Sequence, residues 1–314
     1  SKPPRLLSGS NGMDYFVLND EIHEKDGRRT HELTQKGLLS CSEYKMLRKD
    51  LVLAEQFGKM RDLIYMQDRN GDNLRSYIEP FSLYEKSIEL SISYSDILRE
   101  SNRLAFNFAS SLKTAVEISE SFFFQKDERL EVYKRCQSYL FDNVPGYRFW
   151  IRLRNYLVHH RQLYTGFVIG DLRAIVTCSA STLCEWHGWN KMLRHDISSM
   201  DGTNCFLTIY PAMLSFYYLA SEWVFLHQDE LAALDERMLQ LLDRFDISGE
   251  MYLSANKTDL YYVPIHELRN MDNFLEWRAM FYEQDGFARL RSEYVPSELK
   301  EIIQNPSFRT EDLL

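Results

Sequence analysis

Residues 95–124 read SDILRESNRLAFNFASSLKTAVEISESFFF and carry the longest helical periodicity in the chain. Apolar side chains recur there at mostly three- and four-residue intervals, the spacing that places them on one face of an α-helix. The residues of this face are Ile97, Leu98, Leu104, Ala105, Phe108, Leu112, Ala115, Val116 and Ile118. The tract therefore predicts a long amphipathic helix with a broad buried side, around which other helices can pack.

Similar periodicity predicts further helices on both sides of this tract, separated by short turn signals. The predicted helices cover residues 42–67, 127–140, 147–162, two stretches between 211 and 245, 272–282, a tract after Pro80 and a short segment from Ser297. Asn70-Gly71 predicts a turn that ends the first of them, since this pair favours positive φ. Possible strands lie in the first 40 residues, at 167–178 and at 259–263. The sequence thus predicts a mainly α protein.

The length of 314 residues is compatible with about two domains. We expect a central helical bundle at residues 95–247, with extensions at 1–94 and 248–314 that contain short strands. The most apolar stretch, Pro211 to Leu226, is 16 residues long and contains Glu222, so it is too short to span a membrane. The chain has five cysteines and no CxxC pair, which favours reduced thiols and a cytoplasmic location.

The formal net charge of −9 argues against a surface that coats nucleic acid indiscriminately. One segment departs from this balance. Residues 143–170 contain four arginines, two histidines and no Asp, Glu or Lys, so they carry +4 while the other 286 residues carry −13. Arginine is the side chain best suited to bidentate phosphate contacts. The segment is therefore the candidate phosphate-binding site.

Helical geometry indicates which side chains of this segment share a face. At 100° per residue, Arg148, Arg152, Asn155 and His159 form a stripe about 60° wide, with the aromatic residues opposite. Arg154 lies about 140° from His159 around the axis and ~7.5 Å along it. For both to act on one ligand, the helix end must distort or a second copy must face it. Such a stripe is often only a solvated face, but that role normally mixes charges of both signs.

The stretch YRFWIRLRNYLVH at 147–159 resembles the signature helix of the HEPN superfamily, in which an Arg and a polar residue precede a His. Here Arg154 and Asn155 are followed by His159, and His160 satisfies the longer spacing. The tract ESNRLAFNFASS at 100–111 is similar to the first bundle helix of bacterial members. The resemblance covers about residues 95–165 and extends more loosely to Phe245. The sequence HRQLYTG after His159 departs from the turn common in bacterial relatives.

The resemblance implies an up-and-down helical bundle, a homodimer with a composite active site, and metal-independent endoribonuclease activity without a cofactor. Arg154, Asn155 and His159 would be catalytic, and Arg148, Arg152, His160 and Arg161 would bind RNA. Bacterial members with such motifs include toxins and abortive-infection effectors of antiphage defence, restrained or triggered by an inhibitor or sensor protein. The alternative is a noncatalytic HEPN-like scaffold that binds RNA or protein; a purely structural helical protein is a weaker third hypothesis.

Other candidate sites have less support. Cys184, His187, His195 and Cys205 have spacings that match no common zinc pattern, so no metal site is expected. No phosphate-loop, dinucleotide or nucleophile-elbow motif occurs. An aromatic group after Pro211 could stack on bases, but residues at such helical spacing more often belong to the core or to a dimer interface; its members are Tyr217, Tyr218, Trp223 and Phe225. Three polar residues of the upstream tract either face the cleft that the Arg/His motif would form or serve as ordinary caps and surface groups; they are Glu100, Asn102 and Asn107.

Overall fold

A computed structural model describes residues 14–78, 93–124, 126–170, 173–199, 209–255, 259–263, 268 and 271–283. Its helices are α1 (Cys41–Ile78), α2 (Tyr94–Ser121), α3 (Glu128–Asn143), α4 (Pro145–His159), α5 (Ala180–Cys184), α6 (Lys191–Ser199), α7 (Ile209–Leu226), α8 (Gln228–Phe245) and α9 (Met271–Tyr282). Its strands are β1 (Tyr15–Lys25), β2 (Arg28–Leu39), β3 (Gly166–Gly170), β4 (Arg173–Thr177), β5 (Glu250–Ala255) and β6 (Asp259–Val263). The protein is mostly helical, as predicted, with a small antiparallel sheet.

The chain divides into two compact units. The first unit combines Ser1–Arg61 with Val224–Phe274, and the second combines Asp62–Trp223 with Leu275–Leu314. Each unit is therefore assembled from segments that are distant in sequence. The predicted division at residues 94 and 247 rests on sequence pattern alone and stays a prediction.

The first unit contains an antiparallel sheet with the strand order β2-β1-β5-β6. β1 and β2 form a hairpin whose turn residues Asp26 and Gly27 both have positive φ, 55° and 71°. An Asp-Gly pair tolerates these angles, and the resulting turn matches the twist of the two strands. β1 also pairs with β5, with Tyr15 opposite Ala255. β1 therefore lies between two neighbouring strands, and its first half is buried.

Helices of the first unit are joined by ion pairs between the start of α1 and α8. Arg244 contacts Glu43 at 2.7 Å, and Arg237 contacts Asp50 at 3.0 Å. Glu43 also accepts a hydrogen bond from the Ser40 backbone N–H at 2.8 Å, three residues before it. This is the reciprocal arrangement of a capping box, which stabilises the first turn of α1.

The second unit has a helical core in which α2 and α4 are neighbours. The rings of Phe108 on α2 and Trp150 on α4 meet edge to face, with centroids 4.9 Å apart. Ser93 begins α2 by accepting a hydrogen bond from the Asp96 N–H at 3.2 Å. Both ring side chains are fully buried, and such aromatic burial supplies a large part of the free energy of folding. This packing fixes which side of α4 faces inward.

The predicted elements are largely confirmed. The helices predicted at 95–124, 127–140, 147–162 and 272–282, the two helices after residue 209, the strands at 167–178 and the strand at 259–263 all occur close to their expected bounds, and the helix predicted at 42–67 begins where expected. The predicted helix from Ser297 and most of the tract after Pro80 lie outside the described residues. In the part of the chain that is described, no helix combines the length and apolarity needed to cross a bilayer.

One prediction was wrong. The Asn70-Gly71 pair does not end the first helix, because α1 continues to Ile78. A Cβ atom at Gly71 would lie 2.6 Å from the Met213 sulfur and 3.1 Å from the Phe108 ring. The glycine therefore serves close packing against α2 and α7, and tertiary contact overrides its turn preference.

Candidate nucleic-acid interface on helix α4

Helix α4 presents the Arg/His segment identified in the sequence. It begins with Pro145 at its first position, where the missing N–H costs little. It ends at His159, since the backbone of His160 turns away with φ −131° while its N–H still bonds the Tyr156 carbonyl at 2.8 Å. His159 therefore occupies the last helical turn, close to the end where the helix dipole favours positive charge.

The inner side of α4 is held by aromatic packing. Trp150 meets Phe108 of α2, and Tyr156 stacks on Trp189 with centroids 5.5 Å apart. Trp186 meets Tyr156 edge to face at 5.7 Å. Burial raises the pKa of the Tyr156 hydroxyl, so this group stays protonated at neutral pH. The rotation of α4 about its axis is thus fixed by rings on its inner side.

The predicted catalytic residues lie on the outer side of α4. Arg154 and His159 are exposed, and Asn155 between them is half-buried. In the described part of the chain, no ion pair or hydrogen bond occupies any of the three side chains. Ideal helix geometry still separates Arg154 from His159 by about 140° around the axis. Arg154 and His159 are both exposed, so each is accessible to a ligand, but the two side chains are not brought together within one chain.

Arg148 requires a correction, because it is not available to bind RNA as predicted. Its guanidinium is buried, donates to the Asp196 carboxylate from Nε at 2.8 Å and from Nη2 at 2.7 Å, and also donates to the Phe141 carbonyl. Only 4% of the side chain is exposed. A buried, paired arginine anchors α4 to α6, and breaking this ion pair in order to bind RNA would destabilise the fold.

The remaining predicted RNA-binding residues are exposed. Arg152 places its guanidinium 5.4 Å from the centre of the Phe141 ring. The His160 ring meets Tyr156 edge to face at 5.2 Å, and Arg161 forms an ion pair with Glu185 at 3.3 Å. These contacts orient the three side chains and leave them accessible. They extend the basic surface beyond the end of α4.

Two further arginines, which the sequence reasoning missed as ligand-binding candidates, lie beside this surface. Arg99 and Arg103 of α2 line a cleft of about 250 Å³ together with Leu157 of α4 and Arg161. Their separation of four residues on one helix could have indicated that they share a face. This cleft will be called the arginine cleft.

Both α2 arginines of the cleft pair with an acidic side chain of the same helix. Arg99 contacts Asp96 at 2.6 Å, and Arg103 donates from Nε to Glu100 at 2.7 Å. The Arg103 guanidinium lowers the pKa of Glu100, so this pair is ionised at neutral pH. Solvent-exposed pairs of this kind are weak. A phosphate can therefore compete for these arginines with little loss of stability.

The polar residues of the upstream tract have separate roles. Glu100 pairs with Arg103, whereas Asn102 is buried and bonds the backbone of Tyr164 at 2.9 Å. Asn107 is half-buried on the same helix. Asn102 is thus a structural link between α2 and the segment that follows α4, and it also lines the arginine cleft.

Two members of the aromatic group after Pro211 are not accessible for stacking on bases. Tyr218 is 3% exposed and Trp223 is fully buried, so both belong to the core. Tyr217 is half-buried and lines a different cleft, with Asp68 and Trp277. The prediction that core packing explains this group holds for its two buried members.

No candidate metal centre occurs among the described residues, in which no three His, Cys, Asp or Glu side chains come together. Cys184, His187 and His195 belong to that part of the chain, whereas Cys205 lies outside it. Comparison of the chain with protein-family models, curated proteins and solved structures finds no match.

Proposed function

We propose that this chain is a metal-independent endoribonuclease of the HEPN type, acting through Arg154, Asn155 and His159. The observation that carries the proposal is the outward-facing placement of all three on α4, without competing partners among the described residues. Arg148 on the same helix differs from these residues, because its side chain is buried and forms an ion pair with a structural role. The helical character of the second unit is compatible with a HEPN-like bundle.

The proposed reaction uses the nucleophile that RNA itself carries. The 2′-OH attacks the adjacent phosphorus and the bond to the 5′-oxygen breaks, giving a 2′,3′-cyclic phosphate and a 5′-OH end. His159 accepts or relays the 2′-OH proton, and the departing 5′-oxygen takes up a proton from imidazolium or water. Arg154 stabilises the negative charge of the phosphorane-like transition state. Asn155 orients His159 or a phosphate oxygen.

Flanking phosphates would bind along the exposed basic surface. Arg152, His160 and Arg161 supply charge on α4 and just beyond it, and Arg99 and Arg103 extend the path through the arginine cleft. Since the whole chain has a net charge of −9, this local positive charge should restrict RNA binding to one face of the protein. Affinity for RNA should therefore fall steeply with salt, as phosphate contacts release counterions.

The angular separation of Arg154 and His159 favours a composite site in a homodimer. Two copies of α4 that face each other would place Arg154 of one copy near His159 of the other. The proposal includes a cellular role as a toxin or antiphage abortive-infection effector, controlled by an inhibitor or sensor protein. That role rests on the family resemblance.

The direct test incubates purified full-length protein with total RNA in EDTA. We expect cleavage by the parent and its loss in Arg154→Ala, Asn155→Ala and His159→Ala. Arg135→Ala and His23→Ala, which remove the same side-chain types from exposed positions on other elements, are the matched controls. Product ends should carry a 5′-OH. RNA left intact by the parent under these conditions would contradict catalysis, and binding without cleavage would favour the noncatalytic scaffold.

Mixing two inactive variants tests the composite site. Arg154→Ala and His159→Ala chains, when mixed, form hybrid dimers with one intact site if Arg154 and His159 come from different copies. Random mixing should then restore about a quarter of the parental activity, because half of the dimers are hybrids with one of two sites. No recovery after confirmed subunit exchange would show that each site lies within one copy. Growth arrest on expression, relieved by the same substitutions, tests the toxin role.

A further inference from the structure

A second cleft, of about 370 Å³, lies in the second unit and shares no residue with α4 or the arginine cleft. Helix α1 contributes Asp68 and Asp72, α7 contributes Tyr210 and Tyr217, and α9 contributes Trp277 and Phe281. Its volume is within the range of small-molecule sites. We call it the aromatic–acidic cleft.

Its acidic side is built on one face of α1. Asp68 and Asp72 are four residues apart, so their side chains are neighbours on the helix surface. The Asp68 carboxylate accepts hydrogen bonds from the Gln67 side-chain amide at 2.8 Å and from the Tyr217 hydroxyl. These bonds hold Asp68 in place at the cleft.

Asp68 lacks a cationic partner in the described part of the chain, whereas Asp72 pairs with Arg75 at 3.6 Å. Burial raises the pKa of Asp68 despite its two hydrogen bonds. A partly buried carboxylate normally pairs with a cation, because desolvation of an isolated charge is costly. A positively charged ligand would supply that missing charge.

The aromatic side of the cleft is also suited to a cation. The rings of Tyr217 and Trp277 are nearly perpendicular, with centroids 4.7 Å apart and an interplanar angle of 81°. A perpendicular pair forms a corner, and Trp and Tyr rings attract ammonium groups through their negative faces. The carboxylate and the rings therefore favour the same kind of ligand.

We propose that the aromatic–acidic cleft binds a small organic cation, an alkylammonium or quaternary ammonium group held between Asp68 and the Tyr217–Trp277 corner. Two carboxylates disfavour an anion. Apolar walls disfavour a hydrated divalent metal, which needs several oxygen ligands. The site is independent of the proposed ribonuclease function, because none of its residues belongs to the proposed catalytic group.

Calorimetric titration of the protein with choline and with putrescine tests this proposal, with intrinsic tryptophan fluorescence, compared between the parent and Trp277→Leu, as a second readout. The neutral choline isostere 3,3-dimethylbutan-1-ol measures purely apolar binding. We expect at least one cation to bind with a Kd of about 1 mM or tighter, and the isostere to bind at least about tenfold more weakly. The preferred probe distinguishes quaternary from primary ammonium.

Variants locate the binding. Asp68→Asn and Trp277→Leu should each weaken cation binding by about tenfold, while circular dichroism checks that the fold is retained. Asp62→Asn is the matched control, because Asp62 is an exposed aspartate on the same helix outside the cleft; it should bind like the parent. The proposal is overturned if neither cation binds at about 10 mM, if the neutral isostere binds equally well, or if folded Asp68→Asn retains parental affinity. RNA cleavage by the same preparations is measured separately, so failure of either proposal is distinguishable.

Discussion

The side-chain amide of Asn102 pairs with both backbone groups of Tyr164. Its Nδ2 donates to the Tyr164 carbonyl at 2.9 Å, and its Oδ1 accepts from the Tyr164 N–H at 2.9 Å. Nδ2 also donates to the Leu98 carbonyl within α2 at 2.8 Å. The amide thus joins α2 to the segment that leaves α4 a few residues after His159. It fixes the path of the chain at the end of the proposed catalytic helix.

Loss of this link should destabilise the protein. Asn102→Ala leaves the Tyr164 N–H and carbonyl without their partner in a buried position, which should cost about 2–4 kcal/mol of unfolding free energy. Denaturant unfolding followed by circular dichroism measures the change. Asn107→Ala on the same helix is the control, with an expected effect within about 0.5 kcal/mol. Equal effects of the two substitutions would show that the Tyr164 contacts contribute little.

Local patterns predicted the helices well, because helical periodicity reports which side of each segment is buried. The same local signals failed at Gly71, whose conformation is set by the approach of Met213 from α7, 142 positions later in the chain. The pairing of β1 with β5 joins Tyr15 to Ala255. Nothing in either strand alone specifies such a distant partner, so the four-stranded sheet was not predicted.

The candidate site shows the same limit at the level of single side chains. Helical spacing placed Arg148 and Arg152 in one stripe, yet one is buried and the other exposed. The difference comes from Asp196 on α6, which sequence spacing along α4 cannot reveal. Conversely, Arg99 and Arg103 join the basic surface only because α2 and α4 are neighbours. Residue types and helical periodicity predicted the helix that carries the site. Tertiary packing determines which of its arginines are accessible.

Arg148 and Arg152 should respond differently to the same substitution. Arg148→Ala breaks a largely buried ion pair with Asp196, so it should lower the unfolding free energy by about 3–5 kcal/mol. Arg152→Ala removes an exposed side chain and should change it by less than about 0.5 kcal/mol. Under the proposed function, Arg152→Ala should weaken RNA binding and reduce its salt dependence. Denaturant unfolding and RNA-binding titrations at several salt concentrations measure both. A stable Arg148→Ala protein would contradict the structural role.

Glu43 should make the stability of the first unit sensitive to acid. Hydrogen bonds from Arg244 and Ser40 lower the pKa of Glu43 from 4.5 to about 2. Since the folded-state pKa is depressed, the contribution is fully present above about pH 4.5 and is lost as the pH falls toward 2. Glu43→Gln should therefore flatten the pH dependence of stability in that window. Thermal unfolding from pH 2 to pH 7 measures it.

A matched pair of variants isolates the Glu43 contact. Arg244→Gln removes the main cause of the depressed pKa, so it should flatten the same part of the curve. The double variant should add little to either single change, as expected for two residues that act through one interaction. Fully additive effects would show that the two side chains act independently. Because Glu43 is about a third exposed, the size of the effect should also decrease with added salt.

Asp68 should show the opposite dependence on pH. Burial raises the pKa of its carboxyl, so the folded state holds this proton more tightly than the unfolded chain does. The resulting loss of unfolding free energy is absent below the ordinary carboxyl pKa, and it increases as the pH rises through the folded-state pKa. Asp68→Asn keeps an oxygen that can accept from Tyr217 and removes the charge. It should therefore raise the thermal midpoint at pH 7 relative to the parent and have little effect at pH 3, whereas Asp62→Asn should leave the midpoint nearly unchanged at pH 7.

Choline or putrescine at saturating concentration should raise the midpoint of the parent at pH 7 more than that of Asp68→Asn, since the bound cation supplies the missing partner. A lower midpoint for Asp68→Asn at pH 7 would show that the ionised carboxylate stabilises the fold without any ligand.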